Sequence, residues 1–408
     1  MIRPLARSQD VHGARQDSRR DCLLGLLIVL FVVLALQRSR LWRPGVIFDG
    51  RDNVQVAEAQ AWCEGRMHLP ERQWDTALVG DRSYSHFPPL FSAMAAAVAP
   101  FVSGFPHWLM VLTVVAPPLL LAYFLFVRLT GTVLGGIILC FAFVCGTSLW
   151  PVIDRALRDG TPWFVNGALG TAGLLVFLND YAGRRRIWPG ALGLVMAALT
   201  RQFTIVYLAA LAAVAYRRDD DPHRTRNVAI ALAAGGLVIT TYLALNTAKF
   251  GHPLDNGYMR IYDQTRNDPL ARDARAFGIF SLHYVPRNLY YANLGLPRPL
   301  GQRGGLHPNP HGTGIWWTTP LLLWVLFDIR RIWRDRPSRW LLICAGVVFA
   351  ALMCYHSTGY AQRGYNRYSL DYVPVLIALV APRCLTGRRV WISLAMIAWS
   401  VVYFLWVT

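Results

Sequence analysis

The sequence predicts an all-α polytopic membrane protein, on three observations. Of its 408 residues, 54% are apolar and only 16% charged, against roughly a quarter charged in soluble domains. Mean hydropathy is positive, at +0.33. The apolar residues fall in blocks, several of them free of charge over the roughly 17–25 residues that cross a hydrocarbon core. A soluble enzyme, a collagen-like chain and a disordered chain are excluded. No repeat of 20–50 residues and no low-complexity tract interrupts the pattern, so residues 1–408 read as a single integral membrane domain.

Helices are expected wherever the chain meets lipid, because backbone polar groups there must be satisfied within the segment. Residues 1–21 form a polar tail with Arg3, Arg7, Arg15, Arg19 and Arg20, followed by the apolar run Cys22–Leu36. Gln37-Arg38-Ser39-Arg40 comes next and offers no small-x-small cleavage site. The run therefore reads as an uncleaved first helix, with Arg38 and Arg40 snorkelling at its far end. Further blocks are Phe87–Gly104, His107–Arg128, Thr132–Trp150, Phe164–Tyr181, Ile187–Leu199 and Phe203–Tyr216. Val228–Asn246, Ile315–Phe327, Trp340–His356, Leu370–Pro382 and Val390–Val407 complete the series.

The formal charge of +18 comes from 41 basic residues, all Arg except Lys249. They sit in the connections between blocks, not along one stripe, and no nucleic-acid module accompanies them, so nucleic acid is excluded as a partner. The basic balance instead points to orientation and to contact with anionic membrane lipids. The tail, Arg184-Arg185-Arg186 and the stretches Arg217–Arg226, Arg330–Arg339 and Arg383–Arg389 are Arg-dense. They share one face if Phe87–Gly104 is a juxtamembrane helix and Ile187–Tyr216 a short hairpin. That face is cytoplasmic by the positive-inside rule, giving about eleven crossings, N-terminus in and C-terminus out. Two long outer loops then follow, 37–86 and 247–314, both rich in Pro, Gly, Asp, Arg and aromatics. The seven cysteines are mostly in apolar blocks, show no metal-ligand spacing, and form no disulfide framework.

Ionisable groups kept beside or inside membrane segments are costly, so those that remain are functional candidates. Asp49 and Asp52 follow the first helix in Phe48-Asp49-Gly50-Arg51-Asp52-Asn53. A carboxylate there can take a proton from an acceptor hydroxyl; it can equally make an Asx-turn or cap the helix suggested by Val54–Trp62. Asp52, with Gln55 three positions on, suits the cap, which leaves Asp49 for chemistry. Arg201 interrupts an uncharged stretch from Ile187 to Tyr216. Thirty residues cannot cross twice, so Arg201 sits at a hairpin tip near the outer half of the membrane. It then needs an anion, either a lipid phosphate gripped bidentately or an internal partner in Asp154 or Asp159. Trp150–Asp159 reads as a short outer loop whose two acids and two arginines bind a divalent metal, clamp an anion, or are solvated. His307 and His311 are separated by Pro308 and Pro310, which forbid the helix that would align them as ligands. Trp316-Trp317 reads as an interfacial belt. Tyr360–Tyr372 mixes Arg363, Arg367 and Asp371 with four tyrosines, suiting sugar, phosphate or an interface. No Walker A loop, GxSxG elbow or HExxH helix occurs.

Taken in order, five segments resemble one enzyme group. They are Asp49-Gly50; the stretch Gly80-Asp81-Arg82-Ser83-Tyr84-Ser85-His86-Phe87-Pro88-Pro89-Leu90; Leu199-Thr200-Arg201; Asn246-Thr247-Ala248-Lys249-Phe250-Gly251-His252-Pro253-Leu254; and Arg367-Tyr368 before a Pro-containing helix. Together they resemble the GT-C superfamily of polyprenyl-phosphate-sugar glycosyltransferases, especially bacterial relatives of the protein O-mannosyltransferases and lipid A aminoarabinose transferases. The resemblance implies a catalytic Asp at Asp49. It also implies a donor-phosphate contact in Tyr84–Pro89, where His86 replaces the family's Lys, and a basic hairpin tip at Arg201. A second acidic site maps loosely onto Asp154 or Asp159, where a divalent metal would sit.

The function so implied is transfer of a hexose or pentose from a polyprenyl-phosphate donor at the outer face of a bacterial cytoplasmic membrane, in the cell envelope. The acceptor is a hydroxyl of a lipid, polysaccharide or protein, and the anomeric centre inverts. Asp49 (or Asp52) is the expected base, and Arg201, His86, Tyr84, Arg367 and Tyr368 the expected donor contacts. A transporter or flippase of a lipid-linked anion is the alternative. Internal inverted symmetry, common in transporters, is not visible, and the large aromatic outer loops favour an enzyme.

Overall fold

A computed structural model describes residues 42–43, 45–183, 186–216, 223–263, 268–299, 306–309, 311–357 and 364–408. The expected first helix Cys22–Leu36, with Arg38, Arg40, Arg184, Arg185 and Arg363, lies outside the described residues. The rest is a helical membrane protein with three two-stranded ribbons: Ile47–Phe48 with Phe105–Pro106, Ala77–Val79 with Arg82–Tyr84, and Arg298–Pro299 with Leu306–His307.

The centre of the molecule is the helix Pro162–Ala182, buried along most of its length. Its Gly167, Gly170 and Gly173 let neighbours approach closely, as small residues do between membrane helices. A Cβ on Gly173 would lie 2.6 Å from the Gly193 carbonyl oxygen on the helix Trp188–Ala198. That second helix opens the expected hairpin, which turns at Leu199–Arg201 and returns through a 3-10 turn, Gln202–Val206, into the helix Tyr207–Tyr216. The helix Leu90–Val98 after Pro88-Pro89 has nine residues, about 14 Å at 1.5 Å each. It is too short to span a hydrocarbon core of about 30 Å, as expected of a juxtamembrane helix.

Two sequence expectations are corrected. The stretch Trp150–Asp159 is part of a helix, Leu149–Asp159, bent by 57° against Val133–Cys145. The reason lies in the spacing Leu149, Val152, Ile153, Ala156 and Leu157, a helical stripe that is buried throughout. Gly160, in the left-handed conformation, ends the helix. The N-cap of the helix Val54–Cys63 is Asn53, whose side chain accepts from the Gln55 N–H at 2.8 Å, and not Asp52. Helix length by itself identifies some of the expected crossings. Among the described residues four helices are long and apolar enough to span, namely His107–Thr130, Arg224–Phe250, Arg336–Met353 and Arg389–Val407, or five with the bent pair. The apolar block Ile315–Phe327 breaks at Pro320 into short pieces.

One buried ion pair ties the outer segments together. Lys249, the single lysine, sits at the end of Arg224–Phe250 and pairs with Glu58 of Val54–Cys63. It also donates to the Ser85 carbonyl at 3.1 Å, while Ser92 Oγ donates to Glu58 at 2.5 Å. Both charges are almost wholly buried, so each depends on the other for its solvation. Glu58→Ala should cost about 3–5 kcal/mol by stranding a buried ammonium, read as a lowered midpoint of unfolding in detergent. The double replacement Glu58→Met with Lys249→Met should recover most of that loss.

Candidate functional site

A cleft opens where the hairpin tip, the central helix and the outer segments meet. His86, Phe87 and Pro88 form one wall, and Trp163 and Asn166, one turn apart on the central helix, form a second. The hairpin contributes Thr200–Phe203, the second long loop contributes Tyr258 and Phe280, and Arg367, Tyr368 and Asp371 close the floor with Tyr355.

Arg201 is held in a planar fork. Its Nε donates to Asp371 Oδ1 at 2.8 Å and its Nη2 to Oδ2 at 2.7 Å. The two side chains are 13% and 2% exposed. The guanidinium also lies 4.9 Å from the centre of the Tyr368 ring. Room for it comes from Gly170: a Cβ there would sit 2.5 Å from Arg201 Cγ and 3.0 Å from Thr200 Oγ1. Asp371 ends a 3-10 turn, Arg367–Asp371, and its carbonyl accepts from the buried Tyr207 hydroxyl at 2.9 Å.

Arg367 is placed differently. It is 9% exposed, yet among the described residues no carboxylate lies within ion-pair distance of it. Its Nη2 donates to the Tyr368 hydroxyl at 2.9 Å, and its Nε has no hydrogen-bond partner. Three rings surround it, with centres at 4.8 Å (Tyr368), 5.4 Å (Trp163) and 5.9 Å (Phe164). Aromatic faces attract a cation but do not neutralise it. Asp371 is the acid among the described cleft-lining residues, and it is committed to Arg201, which leaves the Arg367 guanidinium without a carboxylate partner on the cleft wall. Nearby, His86 packs against Phe87 and edge-on to Tyr258, with ring centres at 4.3 and 4.6 Å. Burial raises the pKa of the Tyr258 phenol, which therefore stays a proton donor at neutral pH.

The cleft thus gathers Arg201, His86, Arg367 and Tyr368 from the residues singled out in the sequence. The others lie apart from its walls. Tyr84 ends its ribbon and packs edge-on against Phe250 at 6.0 Å. Asp154 pairs with Arg158 and Asp159 with Arg155, each one helical turn away. Neither acid is therefore the internal partner of Arg201; Asp371 is. Asp49 makes an Asx-turn, Oδ1 accepting from the Arg51 N–H at 2.7 Å and the Asp52 N–H at 3.3 Å. Asp52 Oδ2 accepts from the Asp49 N–H at 3.2 Å. The Asp49 carboxylate is still 43% exposed, with Oδ2 3.5 Å from Arg51 Nε. The turn is outside the cleft lining and is linked to it indirectly: Gln73 donates to the Gly50 carbonyl, and its neighbour Trp74 is edge-on to the cleft-lining Trp163 at 6.1 Å.

No three His, Cys, Asp or Glu side chains converge as metal ligands among the described residues. Asp154 and Asp159, the acids mapped to a metal, have guanidinium partners, and His311 packs on Tyr291 at 5.0 Å. These side chains do not fit a divalent ion. Sequence reasoning passed over Asp371 as a partner, and also Trp163 and Asn166. An acid before a membrane helix signals that a counter-charge is needed, but nothing in that signal names Arg201 as the partner of Asp371.

The chain is similar in fold to the Archaeoglobus fulgidus oligosaccharyltransferase in its apo form. The TM-score is 0.50 and the identity 14%, over 94% of this chain and 55% of that one. It is also similar to ArnT from Cupriavidus metallidurans at a TM-score of 0.46 and 14% identity, over 90% of this chain and 60% of that one in the apo state. For ArnT bound to undecaprenyl phosphate the TM-score is 0.46 and the identity 14%, over 91% and 63% of the two chains. The chain therefore spans 55–63% of the length of these solved structures. No protein-family model matches the sequence, and no curated protein matches it. The likeness to the oligosaccharyltransferase fold agrees with the architecture that the sequence resemblance implied.

The seat of Arg201 gives a direct test. Gly170→Ala should destabilise the protein by about 1–3 kcal/mol, the usual penalty of overpacking. Gly236→Ala, where an added Cβ meets nothing within 4 Å, should be neutral or stabilise by up to about 1 kcal/mol. Thermal unfolding of the two variants in the same detergent distinguishes them.

Proposed function

We propose that the protein transfers a glycosyl group from a polyprenyl-phosphate donor to a hydroxyl acceptor at the outer face of the cytoplasmic membrane. The observation that carries this reading is the buried Arg367 guanidinium, which lines the cleft without a carboxylate partner among the described residues. A buried charge left unpaired is costly. A phosphodiester entering the cleft supplies the missing negative charge and bonds Arg367 bidentately. The pair Arg201–Asp371, already neutral, then acts as the rigid second side of the seat and orients Tyr368 between the two guanidinium groups.

The chemistry follows from the charge balance. The acceptor hydroxyl attacks the anomeric carbon, its proton passing to a base as the new C–O bond forms. The bond from that carbon to the phosphate oxygen breaks on the opposite face, with inversion, and the electron pair leaves on polyprenyl phosphate. The leaving phosphate gains a negative charge, so an unneutralised guanidinium beside it stabilises the transition state more than the ground state. Asp49 is the base in this reading: Oδ1 is fixed by the Asx-turn, and the half-exposed carboxylate remains open to an acceptor arriving from outside. Apolar and aromatic side chains around the cleft exclude water that would hydrolyse the donor. The shared architecture with an oligosaccharyltransferase supports the reading at the level of fold. The outer location rests on the positive-inside argument, which sets the Arg-dense connections in the cytoplasm.

The test is transfer by purified protein supplied with labelled polyprenyl-phosphate sugars and an envelope-lipid acceptor fraction. Arg367→Ala should lower kcat/KM by about 10–150-fold, the value of a charge-assisted hydrogen bond of about 1.5–3 kcal/mol. Asp49→Asn should abolish transfer and leave donor binding intact. Movement of the labelled lipid between leaflets without consumption of the sugar would instead identify a flippase.

A further inference from the structure

A second unsatisfied group lies one helical turn from the Arg367 seat. Asn166 lines the cleft and is 3% exposed, and its Oδ1 has no hydrogen-bond partner. The orientation of its amide is fixed by a relay from the first outer loop. The Pro88 carbonyl can only accept, so the group facing it at 2.6 Å must be the amide nitrogen of Gln55. That leaves Gln55 Oε1 to accept from Asn166 Nδ2, at 2.9 Å. Asn166 Oδ1 is then the end of the relay, an acceptor with nothing to accept from. Gln55 itself is fully buried and begins beside Asn53, which caps the helix and also donates to the Gly160 carbonyl. Three buried amides therefore hold this one oxygen in place.

Leaving a buried acceptor unpaired is unfavourable, and such groups in folded proteins call for an explanation. Here the surroundings supply one. The Arg367 guanidinium packs over Trp163 and Phe164 in the first turn of the central helix, and Asn166 is three residues on from Trp163. Side chains three apart on a helix lie about 5–6 Å from each other, so Asn166 stands on the same wall as the Trp163 ring over which the Arg367 guanidinium packs. A cleft that offers an unpaired cation and, one turn away, an unpaired acceptor is complementary to a ligand carrying an anion and a neighbouring hydroxyl.

We propose that Asn166, oriented by Gln55, accepts a hydrogen bond from a hydroxyl of the donor's sugar and so selects glycosylated polyprenyl phosphate over the bare lipid phosphate. The inference rests on the proposed phosphate seat and deepens it, by assigning the part of the cleft that recognises the sugar. The acceptor could offer the same hydroxyl chemistry, so the test separates the two sources.

The experiment measures binding by the full-length protein in detergent, using undecaprenyl phosphate and undecaprenyl-phosphoryl glucose, galactose, mannose and arabinose as probes. At least one glycosylated probe should bind wild type about fivefold to tenfold more tightly than undecaprenyl phosphate, the worth of one neutral hydrogen bond. Asn166→Ala should erase that preference and leave the affinity for undecaprenyl phosphate unchanged. A monodeoxy version of the preferred probe, tested on wild type, should show the same loss, which keeps the proposal testable if the variant does not fold. Equal affinity of wild type for bare and glycosylated lipid would overturn the inference while the phosphate seat stands. So would a preference that survives Asn166→Ala, which would return the oxygen to the acceptor side. Failure of wild type to bind undecaprenyl phosphate at all would overturn the seat and, with it, this inference.

Discussion

The site depends on one constraint: among the described residues that line the cleft, two guanidinium groups face one carboxylate. Asp371 takes Arg201 in a two-pronged, near-planar contact, which is the geometry that an arginine offers and a lysine does not. That choice decides what remains. Arg367, four residues before Asp371 on the same 3-10 turn, is left with rings and a phenol for company. A site with both arginines neutralised would have no call for an anion, and one with neither neutralised would repel itself. One pair and one remainder gives a rigid wall with one guanidinium left for an anion.

The surrounding architecture serves to hold that arrangement. Gly170 on the central helix lets the hairpin tip seat Arg201 against it. Tyr207, on the return arm of the hairpin, fixes the backbone of Asp371 from beneath. On the outer side, the Glu58–Lys249 pair anchors the Ser85 carbonyl, so the wall formed by His86 and Pro88 is tied to both the first-loop helix and the end of a long membrane helix. Buried ion pairs add little net stability compared with apolar packing, and their value lies in fixing geometry. Two such pairs at one site are consistent with a cavity that must be pre-formed for a charged headgroup.

Much of this was legible in the sequence, and the parts that were not share a physical cause. The membrane class, the short Pro-Pro helix and the hairpin with Arg201 at its tip follow from apolar run length and from the cost of a charge in lipid. Those rules act locally, within one segment. The partner of Arg201 was not legible, because Asp371 is 170 residues away and nothing in the spacing distinguishes it from Asp154 or Asp159. The helix Leu149–Asp159 was misread as a loop because its charges masked a good apolar stripe. Its acids and arginines are matched at i,i+4, a pattern that satisfies them on their own helix. Asn53 displaced Asp52 as the cap for a similar reason, since Asp49 and Asp52 already bond each other's backbone N–H groups. Asn166 carried no signal, as a lone amide in an apolar helix acquires meaning only beside Gln55 and Pro88.

The central claim is that a lipid-linked phosphate sits on Arg367 while Arg201 remains paired with Asp371. The most direct measurement is an experimental structure of the protein with undecaprenyl phosphate bound. The account predicts phosphate density within hydrogen-bond distance of the Arg367 guanidinium, between Trp163 and Tyr368, with the Arg201–Asp371 fork intact. Phosphate density away from this cleft, or on an Arg201 that has left Asp371, would contradict it.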